Sequence, residues 1–208
     1  MANIALPRPP RAYRSAIRGR QAEQTRLSVL KAARRLFARD GYVDATIDAI
    51  AADAGVSPQT IYAVFGSKPA VLAALLESLV ASVRLDEASA GAQTPEDQLR
   101  RCARIARRIY DALRDTLQAI RVAESLSGEL SEIGRTGAAA RFANLGRVIE
   151  TLSSDGALAP NLDAAAALDL LWSLTGPEFY RLLVVERGWS AERYEADLGD
   201  LLVRVLLA

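Results

Sequence analysis

Small polar side chains crowd one short stretch of the sequence, residues 55–68. Residues 58–65 have a helical pattern, and one side of that helix carries apolar residues: Ile61, Val64 and Phe65. The other side carries Gln59, Thr60 and Ala63. A glutamine amide can pair with an adenine edge, and the methyl groups of threonine and alanine can contact thymine methyls. This face therefore predicts a helix that reads base edges in a major groove.

Hydroxyl and ammonium groups lie on this helix or next to its ends, at Ser57, Tyr62 and Lys68. Such groups, together with helix N-termini, are suited to holding phosphates. The alternative interpretation is a tight helical hairpin, which is common in all-α proteins. Two short helices and a glycine do not by themselves separate these interpretations.

Flanking helices must position this unit. Helix one is predicted from near Glu23 to Arg39, with Gly41 as its stop and one apolar face: Leu27, Leu30, Ala33, Leu36 and Phe37. Helix two begins after an N-cap at Thr46, buries Ile47, Ile50 and Ala54, and ends at Gly55. Ser57 caps helix three with Pro58 at its first position, and Ser67 caps helix four.

Composition favours an all-helical chain of 208 residues, because few segments alternate with period two. The chain has one cysteine, no apolar run long enough to span a membrane and no N-terminal signal pattern, so we expect a cytoplasmic protein. It has no histidine, and neither a phosphate-binding loop nor a nucleophile motif is present. We therefore expect no cofactor, no metal site and no enzyme activity.

Charge is unevenly distributed along the chain. Residues 1–76 hold eleven Arg or Lys residues against five Asp or Glu residues, whereas the remainder holds fifteen against twenty. A basic front end on an acidic remainder indicates a polyanionic partner. Residues 1–22 are rich in proline and arginine without periodicity, which predicts a flexible basic arm. The alternative is a basic tail that binds nothing.

The segment TRLSVLKAARRLFARDGYVDATIDAIAADAGVSPQTIYAVFGSKPAVLAALL (residues 25–76) strongly resembles the DNA-binding domain of the TetR family of transcriptional regulators. The resemblance implies an all-α chain with a three-helix helix-turn-helix domain at 23–68 and a helical ligand-binding and dimerisation domain at 69–208. It also implies that the family's DNA contacts fall on residues of this unit: Thr46, Ser57, Gln59, Thr60, Tyr62, Ala63 and Lys68. Ala63-Val64 stands where the family often has a His or Tyr pair.

The remainder of the chain, the body, matches that family only in outline. Helices are predicted over 96–113, in two segments across 114–153 with breaks near Gly128 and Gly134/Gly137, over 162–175 and from Ser190. Aromatic and charged residues on apolar helix sides are candidates for a ligand pocket: Tyr110, Arg121, Glu124, Arg141, Phe142 and Trp172. Each of these can equally complete the core, and Glu124 can be a structural acid paired with an arginine. The arginines of residues 100–108 are interpreted as a solvated face rather than an anion site.

Apolar stripes in the last elements exceed what one chain needs, which predicts a two-fold dimer contact. The stripe residues are Leu168, Phe179, Leu183, Leu198, Leu202 and Val205. The function implied is a homodimeric repressor that a small molecule releases from a palindromic duplex operator. The alternatives are a DNA-binding regulator whose body binds a protein partner, and an all-helical enzyme.

Overall fold

The computed structural model describes residues 11–88, 94–126 and 128–207, without the side chains of residues 11–18, 85–88, 115–126 and 129–130. The predicted all-α class is confirmed, since the described residues form helices joined by turns and one isolated bridge between Leu158 and Leu207. The chain divides into two compact units, Met1–Leu75 and Leu76–Ala208. The predicted boundary at residue 68 lies at the start of a helix whose first two turns belong to the first unit.

The first unit contains helices α1 (Arg11–Asp44), α2 (Ile47–Ala54) and α3 (Pro58–Phe65) and the start of α4 (Lys68–Ala88). Helix α1 is interrupted at Gly41, where a φ of 79° leaves the helical region, as the sequence predicts. The helix begins well before the predicted start near Glu23.

Residues 11–22 of the predicted flexible arm are therefore helical, whereas residues 1–10 lie outside the described residues. The physical reason is local propensity. The last proline of the arm is Pro10, and residues 11–22 are mostly arginine and alanine, which are strong helix formers.

Each short helix of the first unit has the predicted N-cap. Thr46 Oγ1 accepts from the Ala49 amide at 3.1 Å, and Ser57 Oγ accepts from the Thr60 amide at 3.2 Å. Gly55 ends α2 in the left-handed region, at a φ of 69°. These caps satisfy helix-end groups that an eight-residue helix cannot satisfy internally.

The core of the first unit is built by three helices around α3. Buried side chains come from α1, α2 and α4: Val29, Leu30, Ala33, Leu36, Phe37, Ile47, Ile50, Ala51, Val71, Leu72 and Leu75. Leu27, predicted on the buried face, is instead 45% exposed. The buried face is centred near Ala33 and Phe37, and at 100° per residue Leu27 falls on its far side.

The second unit contains α5 (Pro95–Leu126), α6 (Gly128–Ser154), α7 (Ala164–Leu174), α8 (Pro177–Tyr180) and α9 (Ala191–Leu206). A π-helical segment, Arg181–Glu186, continues α8 directly. The predicted break after residue 113 and the breaks near Gly134 and Gly137 are absent, because α5 and α6 run through those positions. A glycine inside a helix costs only about 1 kcal/mol, and no proline lies between Pro95 and Pro160.

The core of the second unit lies between α5, α6, α7, α9 and the segment formed by α8 and its π-helical continuation. Its largest fully buried side chains are Leu99, Ile149, Leu152, Leu171, Tyr180, Tyr194, Leu198 and Leu202. Helix α9 packs closely on α5, and a Cβ at Gly199 would lie 3.4 Å from the Arg100 side chain. That distance is an ordinary van der Waals contact, so α5 and α9 lie against each other at this point.

Ion pairs join the same two helices. Arg100 contacts Asp200 at 2.6 Å, and half-buried Arg107 donates to Glu195 at 2.9 Å and to Asp111 at 3.1 Å. The expectation of a solvated arginine face is therefore wrong for Arg107. Its partner Asp111 lies one turn away on α5, but Glu195 lies 88 residues along the chain, and the local pattern does not predict that contact. Arg100 and Arg107 are paired with carboxylates of the same chain, which argues against the alternative of an anion site.

Among the described residues, no single helix combines the length and the apolar composition needed to cross a membrane. Two consecutive helices, Pro58–Phe65 and Lys68–Arg84, are long and apolar enough only when they are taken together, and a bend of 66° separates them.

Burial makes the Cys102 thiol a core group of the second unit. The side chain is 8% exposed, and desolvation raises its pKa to about 11. Because the thiolate is the reactive form, we expect the native thiol to react with a disulfide reagent at pH 8 about 100-fold more slowly than the thiol of the unfolded chain.

Reagent consumption in buffer and in guanidinium chloride measures this ratio. A cysteine placed on exposed Ser153 in a Cys102→Ala background is the control and should react at the unfolded rate in both solvents. A native Cys102 rate within tenfold of the unfolded one would show that the thiol is accessible.

Candidate functional site

Helix α3 contributes one buried side chain, Ile61, which is 1% exposed. The predicted outward face is outward: Gln59 and Ala63 are exposed, Thr60 is half-buried, and Tyr62 is 53% exposed. Val64, predicted to point inward, is instead 40% exposed. A helix of two turns offers only a narrow strip to its neighbours, and Ile61 fills it. Most of the circumference of α3 is therefore exposed.

Hydroxyl groups surround the start of α3. The hydroxyls of Ser57 and Thr60 are 3.0 Å apart, and the Ser57 oxygen also accepts from the Thr60 amide. The exposed Thr46 hydroxyl caps α2 in the same way. Each oxygen is used as an acceptor by its own helix, whereas a hydroxyl can also donate. These groups are therefore fixed in place and able to donate to an acceptor such as a phosphate oxygen.

Lys68 is held more tightly than its sequence position indicates. Its Nζ donates to the Val43 carbonyl at 3.1 Å and lies 4.4 Å from the centre of the Tyr42 ring. Partial burial lowers the pKa of Lys68, and Asp44 opposes that shift. The ammonium thus links the start of α4 to the turn before α2, with two of its three N–H donors left for other acceptors.

Two arginines of α1 contact the short helices α2 and α3. Arg26 lies 5.2 Å from the centre of the Phe65 ring, at the end of α3. Arg35 donates to Asp53 of α2 at 2.6 Å. Sequence reasoning missed both contacts, because nothing in the local pattern pairs residues that are so far apart in the chain.

In the second unit the structure brings three of the predicted ligand residues together. The Phe142 and Trp172 rings meet edge to face with their centres 6.3 Å apart, and Arg141 stacks 4.7 Å from the Trp172 ring. Arg141 Nη1 donates to the Trp172 carbonyl at 2.8 Å and to Thr175 Oγ1 at 3.3 Å. Phe142 remains 41% exposed, so this group reaches the surface.

Tyr110 lies next to this group and contacts it through Thr175. Its hydroxyl donates to the Thr175 carbonyl at 3.0 Å, and burial raises its pKa to about 12. Its ring packs 5.5 Å from that of Tyr180, which in turn packs 5.1 Å from Tyr194. Sequence reasoning missed Tyr194 and Thr175. A tyrosine in the stripe of Tyr194, Leu198 and Leu202 was the available signal.

We refer to five of these residues as the Arg141 cluster: Tyr110, Arg141, Trp172, Thr175 and Tyr194. Burial lowers the pKa of Arg141, and three neighbouring groups raise it: Tyr110, Glu178 and Tyr194. An arginine stays protonated under such shifts, so the cluster contains a partly buried cation. The other two predicted ligand residues, Arg121 and Glu124, lie outside the residues whose side chains are described.

The predicted dimer residues divide into two groups. Leu198 and Leu202 are 2% and 0% exposed within a single chain, so they have no surface left for a partner. The apolar stripe of α9 predicts an interface at these two residues, but that side of α9 packs into the core of its own chain. The remaining four are half-buried: Leu168, Phe179, Leu183 and Val205. Two further apolar residues, Leu182 and Val185, are 44% and 52% exposed beside them in sequence.

Comparison with known families agrees with the geometry of the first unit. Residues 29–75 match the family model described as bacterial regulatory proteins, tetR family. The match covers the buried face of α1 from Val29 onward, all of α2 and α3, and the first turns of α4.

Two transcriptional regulators are similar in sequence. The HTH-type transcriptional regulator YdeS of Bacillus subtilis (strain 168) is 31% identical over 175 residues, which are 80% of this chain and 83% of YdeS. The HTH-type transcriptional repressor NicS of Pseudomonas putida (strain KT2440) is 35% identical over 75 residues, which are 36% of this chain and only 35% of NicS.

The whole fold also has a counterpart among solved structures. A transcriptional regulator from Saccharomonospora viridis in complex with choline superposes with a TM-score of 0.70 at 20% identity, covering 89% of this chain and 99% of that chain. At this identity the likeness shows the fold. With the matched helix-turn-helix unit and the near full-length similarity to YdeS, the chain belongs to the TetR family of transcriptional regulators and is a DNA-binding regulator, not an enzyme.

Proposed function

We propose that this protein is a repressor that binds a palindromic operator as a homodimer and leaves it when a small molecule binds the second unit. The observation that carries the proposal is the exposed, capped face of α3. Gln59 and Ala63 stand free on a helix that is fixed by Ile61 and by the Ser57 cap. A short rigid helix with small side chains fits a major groove of about 12 Å.

Base contacts and phosphate contacts fall to different residues in this account. Gln59, Thr60 and Ala63 face base edges, since an amide and two methyl groups can distinguish base pairs. Thr46, Ser57, Tyr62 and Lys68 hold phosphates through hydroxyl and ammonium donors, which fix the register without reading sequence. Exposed arginines of α1 such as Arg20 and Arg34 add to the positive potential that attracts the duplex. The protein acts on DNA in the cytoplasm.

The effector site is placed at the Arg141 cluster. It combines aromatic surface with a few fixed polar groups, which is typical of small-molecule sites. The choline complex of the Saccharomonospora viridis regulator supports a ligand-binding body on this fold. Release requires that the effector bind one conformation of the dimer better than the DNA-bound one. Full retention of DNA binding with every candidate ligand would favour a body that binds a protein partner instead.

The dimer contact is placed on α8 and the π-helical segment, with α9 beside them. Leu182 and Val185 are apolar and about half exposed, and Phe179, Leu183 and Val205 are half-buried. Burying these residues against a second copy would remove exposed apolar surface from water. Binding of two copies of α3 in successive major grooves, which lie about 34–36 Å apart, requires a two-fold dimer.

Gln59→Ala should weaken binding mainly at one base pair of each half-site, by about 1–3 kcal/mol. The reason is that the amide hydrogen bonds to a single base are lost while the phosphate contacts remain. Titrating the variant against a set of operators with single base-pair changes measures the effect. Gln98→Ala, which changes a half-exposed glutamine of the second unit, should leave every affinity unchanged. Equal losses on all operators would remove Gln59 from base recognition.

Lys68→Ala should weaken binding to all duplex sequences roughly equally and lower the salt slope by about one. It should also lower the free energy of unfolding by about 1–2 kcal/mol, because a hydrogen bond to Val43 and a cation–π contact with Tyr42 are lost. Lys31→Ala, at an exposed lysine of α1, is the control and should cost less than about 0.5 kcal/mol. If the two variants shift the salt slope equally, Lys68 has no special phosphate contact.

Val185→Glu should convert the dimer into a folded monomer with weak operator binding, because a carboxylate would be buried in an apolar contact. Sedimentation velocity at micromolar concentration measures the oligomeric state, and circular dichroism checks folding. Val43→Glu changes another exposed valine, 56% exposed, in the first unit and should leave the dimer intact. A wild-type monomer, or a dimer that survives Val185→Glu, would contradict this contact.

A further inference from the structure

Hydrogen-bond donors exceed acceptors in the Arg141 cluster. Arg141 Nη1 uses the Trp172 carbonyl and Thr175 Oγ1, and Tyr110 uses the Thr175 carbonyl. The Thr175 hydroxyl itself donates to the Leu171 carbonyl at 2.6 Å. The nearby acceptors are therefore occupied, whereas Arg141 Nε and Nη2 donate to no described residue. That edge of a guanidinium is the one that a carboxylate can engage with two parallel hydrogen bonds.

Two more polar groups of the cluster are buried without a partner among the described residues: the Trp172 indole N–H and the Tyr194 hydroxyl. Tyr194 is 0% exposed. The neighbouring tyrosines are satisfied, since Tyr110 donates to Thr175 and Tyr180 donates to Asp111. A buried polar group without a hydrogen bond destabilises the fold. Tyr194 is thus an exception inside a core that otherwise pairs its hydroxyls.

Among the described residues, Arg141 has no carboxylate within 4.0 Å although it is partly buried. Five arginines of the same unit have one: Arg100, Arg107, Arg135, Arg181 and Arg193. Arg193 is the closest match, because it too stacks on a tryptophan, 3.8 Å from the Trp189 ring, but pairs with Asp197. Glu178 acts on this cation only through its charge, and no described carboxylate touches the guanidinium, so an anion from outside the chain can bind there.

We propose that the Arg141 cluster selects a carboxylate attached to an apolar group, with Arg141 and Tyr194 binding the carboxylate and Phe142 and Trp172 covering the apolar part. This inference rests on the proposed function, since it names the chemical class of the effector. The edge-to-face pair of Phe142 and Trp172 supplies aromatic surface beside the cation, and Phe142 is exposed enough to meet an entering ligand.

A ligand-free comparison tests the unpaired hydroxyl. Tyr194→Phe removes a buried hydroxyl without a partner and should raise Tm by about 2–4 °C, whereas Tyr180→Phe removes the donor to Asp111 and should lower it. The two variants delete the same atom from adjacent, fully buried tyrosines, so overpacking and cavity effects are matched. A Tyr194→Phe protein that melts as low as Tyr180→Phe would show that the hydroxyl is a structural donor and would overturn its assignment to a ligand.

A ligand comparison tests the charge. The probes are 2-naphthoate and 2-naphthamide, which share an aromatic body and differ in one negative charge, and titration calorimetry on the full chain measures both. We expect the wild type to bind naphthoate at least tenfold more tightly than naphthamide. Arg141→Gln should abolish that preference, and Arg141→Lys, which keeps the charge without the fork, should restore part of it. Arg193→Gln should leave the preference unchanged.

The outcomes separate this inference from the proposed function. Naphthoate binding that depends on Arg141 but does not release operator DNA would support the ligand class and contradict the release mechanism. Operator release by another ligand in an Arg141→Gln protein, unchanged from wild type, would support release and overturn the ligand class. Absence of naphthoate binding to the wild type, or a preference that persists in a folded Arg141→Gln protein, would also overturn it.

Discussion

A helix of eight residues that buries one side chain cannot hold its own shape in water, and α3 is such a helix. Much of the first unit serves to fix it. Ser57 and Pro58 set its start, Ile61 anchors it, and Arg26 covers Phe65 at its end. The rigidity that base recognition requires is therefore supplied by caps and neighbours, which leaves the outer face free to carry whatever side chains recognition needs.

The second unit meets the opposite constraint, since its core contains polar groups that must be paired. Tyr110, Tyr180 and Arg107 reach partners on other helices, and those bonds tie α5 to the end of the chain. The Tyr194 hydroxyl and the Trp172 indole N–H are buried without a hydrogen-bond partner among the described residues. Polar groups left unpaired in a well-packed core are the feature expected where stability is given up for recognition.

The sequence was a good guide wherever the deciding signal was local. N-caps at Thr46 and Ser57, the interruption at Gly41 and the exposure of Gln59 all follow from residue type and helical spacing. Predictions failed where a distant contact or accumulated propensity decided the outcome. Helix α6 continues through Gly134 because its neighbours support it, and the early start of α1 depends on a run of helix formers rather than on periodicity.

The site in the second unit shows the same division. Helical wheels correctly marked Phe142 and Trp172 as aromatic residues on the sides of two helices, but they did not predict that the rings meet. Leu198 and Leu202 form a stripe that is equally consistent with a partner and with the core, and only the packing of α9 on α5 assigns them to the core. The apolar stripe of α9 predicts that Tyr194 is buried, but it does not predict that the Tyr194 hydroxyl has no hydrogen-bond partner.

The central claim is that the exposed face of α3, presented twice by a two-fold dimer, reads a defined duplex sequence. Selection of binding sites from a random duplex library by the full chain, followed by sequencing, tests this most directly. The account predicts enrichment of an inverted repeat whose half-site centres lie about 10 base pairs, or a multiple of one helical turn, apart. A selected pool without sequence preference, at a salt concentration where the protein still binds duplex, would contradict it.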